Sequence, residues 1–305
     1  MSYRLSIADE LTAVVRACAR EQLAGAVDRL ERAEEDPVEA IHDARKHVKK
    51  ARALLRLVRP ALGAGVYRHE NAALRDVGRA LSSTRDADVL LETVDALAKR
   101  YAGRLPATTF DGVRGALAAA APARGDGGAE LATAIAELRA ALERVETWPL
   151  DDGGWDPVIA GVARAYERGR AAGEAARRRP TTEGLHEWRK RVKDLWYHER
   201  LLAPSWPAVV GAHGEQAHVL SELLGDEHDL AVLAERLCAG VGLPANADAD
   251  LAALLALVEE RRGELRAAAH RLGRRLYAES PKAFARRLRR YVRAAVAEQS
   301  EQPQR

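Results

Sequence analysis

"IHDARKHVKKARALLR", residues 41–56, decides the reading of this chain because it occurs twice. "LHEWRKRVKDLWYHER", residues 185–200, matches it at an offset of 144, and both copies carry H-x2-R-x3-K-x6-R. The shared positions are His42, Arg45, Lys49 and Arg56 in the first copy and His186, Arg189, Lys193 and Arg200 in the second. Lys46 corresponds to Lys190, and Val48 to Val192. The register persists downstream: "TRDADVL" (84–90) matches "EHDLAVL" (227–233) after a one-residue deletion, and each places a basic or His residue before Asp. Matching elements in one order imply two similar units related by an approximate two-fold axis.

At about 100° per residue, Ile41, Ala44, Val48, Ala51, Leu55 and Val58 fall on one apolar face. His42, Arg45, Lys49, Arg52 and Arg56 form an arc directly beside that face, not opposite it. A solvated helix face usually alternates its charges with opposite ones one turn away; this arc holds no acid. Residues 41–59 carry seven Arg or Lys, two His and a single acid, so their repulsion calls for solvent or a bound anion. The second copy sets His186, Arg189, Lys193 and Arg200 on the same arc beside Leu185, Trp188, Val192 and Leu195. One such arc is a composition oddity; its repetition, spacing for spacing, points to a site. His42 and His186 lie one to two turns inside their helices, where free N–H groups and the helix dipole favour an anion. A bound phosphate would raise their tendency to protonate. A third basic row, Lys282, Arg286, Arg289 and Arg293, runs along 277–293, with Phe284, Leu288 and Tyr291 towards the other side. For that row a ligand-facing surface and an ordinary solvated one fit equally.

Strand signals are nearly absent, and Ala, Leu, Arg and Glu dominate with apolar residues three and four apart. The spacing predicts helices over 5–33, 38–59, 65–82, 85–101, 111–119 and 129–146. A second set is predicted over 157–178, 183–202, 208–224, 228–239, 248–277 and 282–298. Asp36-Pro37 and Asp156-Pro157 each place a capping acid before a proline at the first helical position, and Glu39 extends the first into a variant capping box. "ETWPLDDGGWDP" (146–157) is the best boundary. It divides the chain into an N-terminal helical bundle, 1–147, and a C-terminal one, 148–305. The expected fold is all-α, two four-helix-type bundles with pseudo-two-fold symmetry.

The totals narrow the function further. At 305 residues, 47% hydrophobic and 30% charged, the chain is expected to be globular. No window approaches 18 uninterrupted apolar residues, so no membrane span is expected. The opening 25 residues scatter charges where a secretory leader needs an apolar run. Cys18 and Cys238 fit no metal or disulfide spacing and read as buried thiols in a reducing cytoplasm. A net charge of +3 does not by itself say nucleic acid. Aromatics are only 5% of the chain, and Trp188 falls on the apolar face, which argues against base stacking. Of the five tryptophans (148, 155, 188, 196 and 206), core packing is the expectation.

No P-loop, GxGxxG or nucleophile elbow occurs, and no Ser or Cys sits beside a plausible base. His42-Asp43 and His228-Asp229 admit an alternative, a metal-dependent phosphohydrolase acting on polyphosphate or a phosphorylated small molecule. That reading needs further His and Asp ligands from other helices, and the neighbours here are cations. No catalytic residue, metal ligand or cofactor is therefore assigned.

The paired segments, the "TRDADVL" turn and "RLYAESPKAFARRL" (275–288) together resemble the CHAD family of histidine-containing α-helical domains. The resemblance implies two four-helix bundles with a basic surface or pore between them that binds inorganic polyphosphate. It also implies association with polyphosphate granules or polyphosphate metabolism, which fits the cytoplasmic location expected from the cysteines. The family's basic positions carry over onto His42, Arg45, Lys46, Lys49, Arg52 and Arg56. In the second half they carry over onto His186, Arg189, Lys190, Lys193 and Arg200. Two departures stand out: Trp196 replaces the counterpart of Arg52, and Asp194 and Glu199 dilute the second helix, so that half is expected to bind less strongly. The ExExK strand motif of the triphosphatase domain joined to many relatives is absent, so that activity does not transfer. The expected partner is polyphosphate, with neither membrane nor nucleic acid; a homo-oligomer is left open.

Overall fold

A computed structural model describes residues 3–81, 85–120, 128–150, 154–240 and 248–301. Those residues form eleven α-helices and no strand. The all-α expectation holds.

The first repeat helix, α2 (Pro37–Leu57), pairs with α1 (Leu11–Glu31) and α3 (Arg59–Ala80). Its start follows the sequence chemistry. Asp36 accepts hydrogen bonds from the backbone N–H of Val38 (3.1 Å) and Glu39 (3.0 Å), and Pro37 occupies a position where no N–H is needed. The second such start differs. Helix α7 (Asp156–Arg178) begins on Asp156 itself, whose carboxylate accepts from Arg289 at 2.8 Å instead of capping. Helix α3 begins ahead of the expected residue 65 and bends at Gly63, where φ is +73°.

Two further boundaries differ for identifiable reasons. Residues 3–7 are not helical: Tyr3, Leu5 and Ile7 alternate inward, and the Leu5 N–H donates to the Leu201 carbonyl at 2.9 Å. Alternation at period two is an extended signature, and it outweighs the weak helical pattern there. The segments 208–224 and 228–239 join in one continuous helix, α9 (Ala212–Cys238), preceded by a π-turn over Pro207–Gly211. Gly225 reads as a break but serves as clearance. A Cβ there would lie 2.8 Å from Nη2 of Arg189.

The largest buried cluster is continuous through both halves of the chain. It draws on α1, α2, α3 and α6 (Gly128–Arg144) and on α7, α8 (Thr182–Leu202), α9, α10 (Asp248–Leu276) and α11 (Pro281–Glu301). A smaller cluster joins α4 (Arg85–Arg100) and α5 (Ala107–Ala119) to α9 and α10. There Leu90, Val94, Phe110 and Leu117 meet Leu230, Leu237, Leu254 and Leu265. Helices from the first half thus complete their burial on helices from the second. Trp188 and Trp148 are core residues, Trp155 and Trp196 are half-buried, and Trp206 is exposed with Tyr291 edge-on at 4.7 Å. Cys18 is buried, and burial pushes its thiol up to about 12. Cys238 is exposed, because Leu237 takes the inward position at the end of α9.

The two repeat helices, α2 and α8, pack against each other, with α7 crossing both. The crossing of α7 on α2 is a backbone approach: a Cβ on Gly161 would come 1.9 Å from the Leu57 carbonyl oxygen. Gly161→Ala is therefore expected to cost about 2–4 kcal/mol of stability as the crossing is forced apart. Gly115→Ala is the matched control, because Gly115 is exposed within α5 with nothing near its Cβ position. There helix propensity should raise stability by roughly 0.5–1 kcal/mol. Urea denaturation of the two variants checks both signs.

Candidate functional site

Arg45, Lys49, Arg52 and Arg56 follow one another at intervals of about one turn along α2. Their helix is buried on its other sides: Ala44, Val48, Ala51, Leu54, Leu55 and Leu57 are all inaccessible. The row therefore occupies much of the solvent-facing surface that the C-terminal half of α2 retains, with His47 and Lys50 half-buried on another side. Towards α3 it forms one wall of an open cleft of about 200 Å³, floored by Val48 and Gly78. Arg75 and Arg79 of α3 form the other wall. On the α3 wall Asp76 accepts from Arg75 (3.0 Å) and lies 3.6 Å from Arg79. Its hydrogen bond from Arg75 holds it below the usual carboxylate range.

Neutral groups orient two of the guanidiniums. Arg45 donates to the Leu81 carbonyl at 2.7 Å, and Arg52 to the Asn71 side-chain oxygen at 3.4 Å. A carbonyl or amide fixes the geometry of a cation without cancelling its charge. Burial, and then the neighbouring Arg56, push Arg52 down to about 10, which leaves it charged at neutral pH.

The row continues into the joint between the two repeat helices. Arg56 donates to Asp194 of α8 at 2.9 Å, and Arg191 lies 3.6 Å from the same carboxylate. Arg168 of α7 makes no hydrogen bond or ion pair among the described residues. Burial and the Arg191 charge lower its pKa, while Asp194 and Glu187 act to raise it. Four guanidiniums, those of Arg52, Arg56, Arg168 and Arg191, thus crowd around Asp194 and Glu187.

The matching positions on α8 are differently occupied. His186 lies ring to ring with His228 of α9 at 4.3 Å, and the Nδ1 atoms of both are buried without a partner. Burial, then His228 and the charges of Lys190 and Arg189, push His186 down to about 4, so it is neutral at pH 7. Arg189 lies over Gly225 with its Nε buried and unpartnered. Lys190 turns to Glu187 at 2.8 Å, as Lys46 turns to Asp43 at 3.0 Å, so both leave the arc. Lys193 is half-buried, and Arg200 lies over the rings of Trp196 (5.3 Å) and Tyr3 (5.8 Å). Extending the repeat places Trp196, His218 and Glu222 where the first half has Arg52, Arg75 and Arg79. Trp196 and His218 stack at 4.1 Å with their planes 4° apart, and Glu222 lies 3.8 Å from His218. An aromatic pair and an acid stand in place of three arginines.

The remaining expected residues lie elsewhere. Lys282 and Arg286 are exposed on α11, which packs on α7, and Arg289 is paired with Asp156. His42 is half-buried at the start of the row. Its counterpart contact would involve Arg85, and Thr84 and the side chains of Arg85 and Asp86 lie outside the described residues. Asp43 is held by Lys46 and by Arg29 at 3.6 Å, and among the described residues no three His, Cys, Asp or Glu side chains gather as metal ligands. Arg75, Arg79 and Arg168 escape the sequence reading because none of them has a basic counterpart that the repeat would reveal. No helix among the described residues is long and apolar enough to cross a membrane.

The family model described as CHAD domain matches residues 16–238. The chain belongs to the CHAD domain family. No curated protein matches it. The matched span of this CHAD protein contains both repeat helices, the cleft and the joint, and ends with α9. Helices α10 and α11, with Lys282, Arg286 and Arg289, fall outside it.

One buried group in the joint has a clear pH consequence. His198 of α8 donates from Nε2 to the Ala53 carbonyl of α2 at 2.9 Å, while its Nδ1 is buried without a partner. Protonating Nδ1 would create a buried, unpaired N–H, and burial pushes His198 from 6.5 down to about 4. A depressed histidine contributes stability that is complete above the unfolded value and is lost as pH falls towards the folded one. Stability should therefore decline between about pH 6.5 and pH 4, by up to about 3 kcal/mol for this fully buried ring. Denaturation midpoints at pH 7 and pH 5 should differ clearly in the native protein and less in His198→Gln.

Proposed function

We propose that this CHAD protein binds inorganic polyphosphate along α2, with the cleft between α2 and α3 as its principal anchor. The carrying observation is that cleft, where Arg45, Lys49, Arg52, Arg75 and Arg79 converge from two helices. A linear polyanion suits a row of cations spaced by helical turns, because successive phosphates meet successive side chains without any base-specific contact. The cleft lining contains no aromatic ring, so nucleobases find no stacking platform there. The basic row runs on to Arg56 and the α2–α7–α8 joint, which supports a path across both halves of the chain.

In this reading residues 1–147 and 148–305 are two four-helix-type units in pseudo-two-fold relation, and their repeat helices meet at the bound chain. The contact of α2 with α8 supports that arrangement. The second half contributes less, because Trp196, His218 and Glu222 fill the place of its cleft. The protein acts as a binding module in the cytoplasm, at polyphosphate granules, and not as a hydrolase.

Titration with long-chain polyphosphate tests this. Charge-assisted hydrogen bonds are worth about 1.5–3 kcal/mol each. The triple variant R45A/K49A/R52A should therefore lose at least about a hundredfold in affinity, whereas R189A/K193A should lose roughly tenfold. Affinity should fall steeply with salt, and the slope should shrink in the cleft variant. Unchanged affinity in the triple variant, or equal competition by duplex DNA per phosphate, would sink the assignment. Phosphate release with Mg²⁺ or Mn²⁺ that EDTA stops would instead favour the hydrolase.

A further inference from the structure

The repeat makes two helix–helix corners equivalent, and they carry opposite charge. Between α1 and α2 lie Glu34 and Glu35; 144 residues on, at the end of α7, the same positions are Arg178 and Arg179. Arg177 precedes them, and Glu39 follows the acidic pair on the first turn of α2. All six side chains are exposed, and none makes an ion pair among the described residues. The basic corner is widened by α10, where Arg271, Arg274 and Arg275 are likewise exposed and form no ion pair among the described residues. His270, stacked on Trp188 at 5.2 Å, sits close to both Arg177 and Arg274 and ties the two helices into one patch. The acidic corner has an exposed valine at its centre, Val38.

Helix ends account for part of this pattern. Acids before α2 and arginines at the end of α7 complement the respective dipoles. That effect does not require a patch built from two helices, and the arginines outnumber Glu183, the counterpart of Glu39 on the first turn of α8. The chain as a whole is only +3, so its charge is separated into poles rather than accumulated. A polyanion would cover the basic corner and leave the acidic one bare. A second copy of the chain pairs both.

We propose that the acidic corner at Glu34, Glu35 and Glu39 docks on the basic corner at Arg177, Arg178 and Arg179 of another copy. The contact is heterologous, since the two patches differ. Exposed ion pairs are individually weak and screened by salt, so the association is reversible and belongs to low ionic strength. This inference is independent of what the α2 cleft holds.

Sedimentation velocity on the full chain tests it. At about 25 mM salt the weight-average mass should rise with protein concentration, and at about 500 mM it should return to the monomer value. E34K/E35K and R177E/R178E/R179E should each be monomeric alone. Their equimolar mixture should associate at least tenfold more tightly than either variant by itself. R177Q/R178Q/R179Q, which avoids placing acids at the end of α7, should also be monomeric, with circular dichroism confirming that each variant is folded. A mixture that sediments as separate monomers overturns the proposal. So does wild-type association that survives the substitutions. If E34K/E35K associates on its own, a carried polyanion is bridging basic surfaces, and the proposal likewise fails.

Discussion

Arg56 and Asp194 pair across the contact between the two repeat helices, and the arrangement of the site follows from that one bond. Both side chains are largely shielded from water, so the bond is electrostatically stronger than on an open surface but costs the desolvation of two charges. Such a pair holds helices in register more than it holds them together. Cohesion comes from the apolar backs of α2 and α8, from the His198 bond to the Ala53 carbonyl, and from the close approach of α7 at Gly161. The pair determines which faces of α2 remain for other work. With Arg56 anchored at the joint, Arg52, Lys49 and Arg45 are carried in turn away from it and into the cleft.

Asp194 cannot satisfy all the cations that reach it. Arg191 and the electrostatic influence of Arg52 and Arg168 converge on the same carboxylate, and the pKa values of Arg52 and Arg168 are lowered by burial and by each other's neighbours. An excess of positive charge beside an apolar core is destabilising in the empty protein. A phosphate chain bound as proposed would relieve it, and would link affinity and folding stability through the same side chains. The Asn71 amide orients Arg52 without cancelling its charge.

How much of this was legible depended on the sequence repeat. The helices, the capped start at Asp36 and the basic arc of α2 all follow from local spacing, and the repeat marks His42, Arg45, Lys49 and Arg56 as more than composition. The same filter is blind to anything that only one half possesses. Arg75 and Arg79 correspond to His218 and Glu222, so comparing the halves hides them; Arg168 lies outside the matched segments altogether. Arg189 shows the opposite failure. Its position is legible, but its seat over Gly225 required α9 to run unbroken through a glycine that local rules treat as a stop. The buried N-terminal segment was obscured for a simpler reason: three alternating apolar residues are a short signal beside a long helix.

Divergence between the halves is therefore the informative part of the repeat. In the first half the α2–α3 interface is left open and lined by arginines, two of them oriented by neutral groups. In the second half the same interface is closed by the Trp196–His218 stack, with Arg200 lying over the tryptophan. Closing one interface contributes apolar burial and ring stacking to the fold, while opening the other gives up that packing for a charged cleft. A symmetric molecule with two open clefts would carry twice the clustered arginine charge on one shared core. The continuous buried cluster spans both halves, so packing gained around the closed interface supports the open one. The closed second copy supplies the packing against which the first can keep its cleft open, as the proposed binding requires.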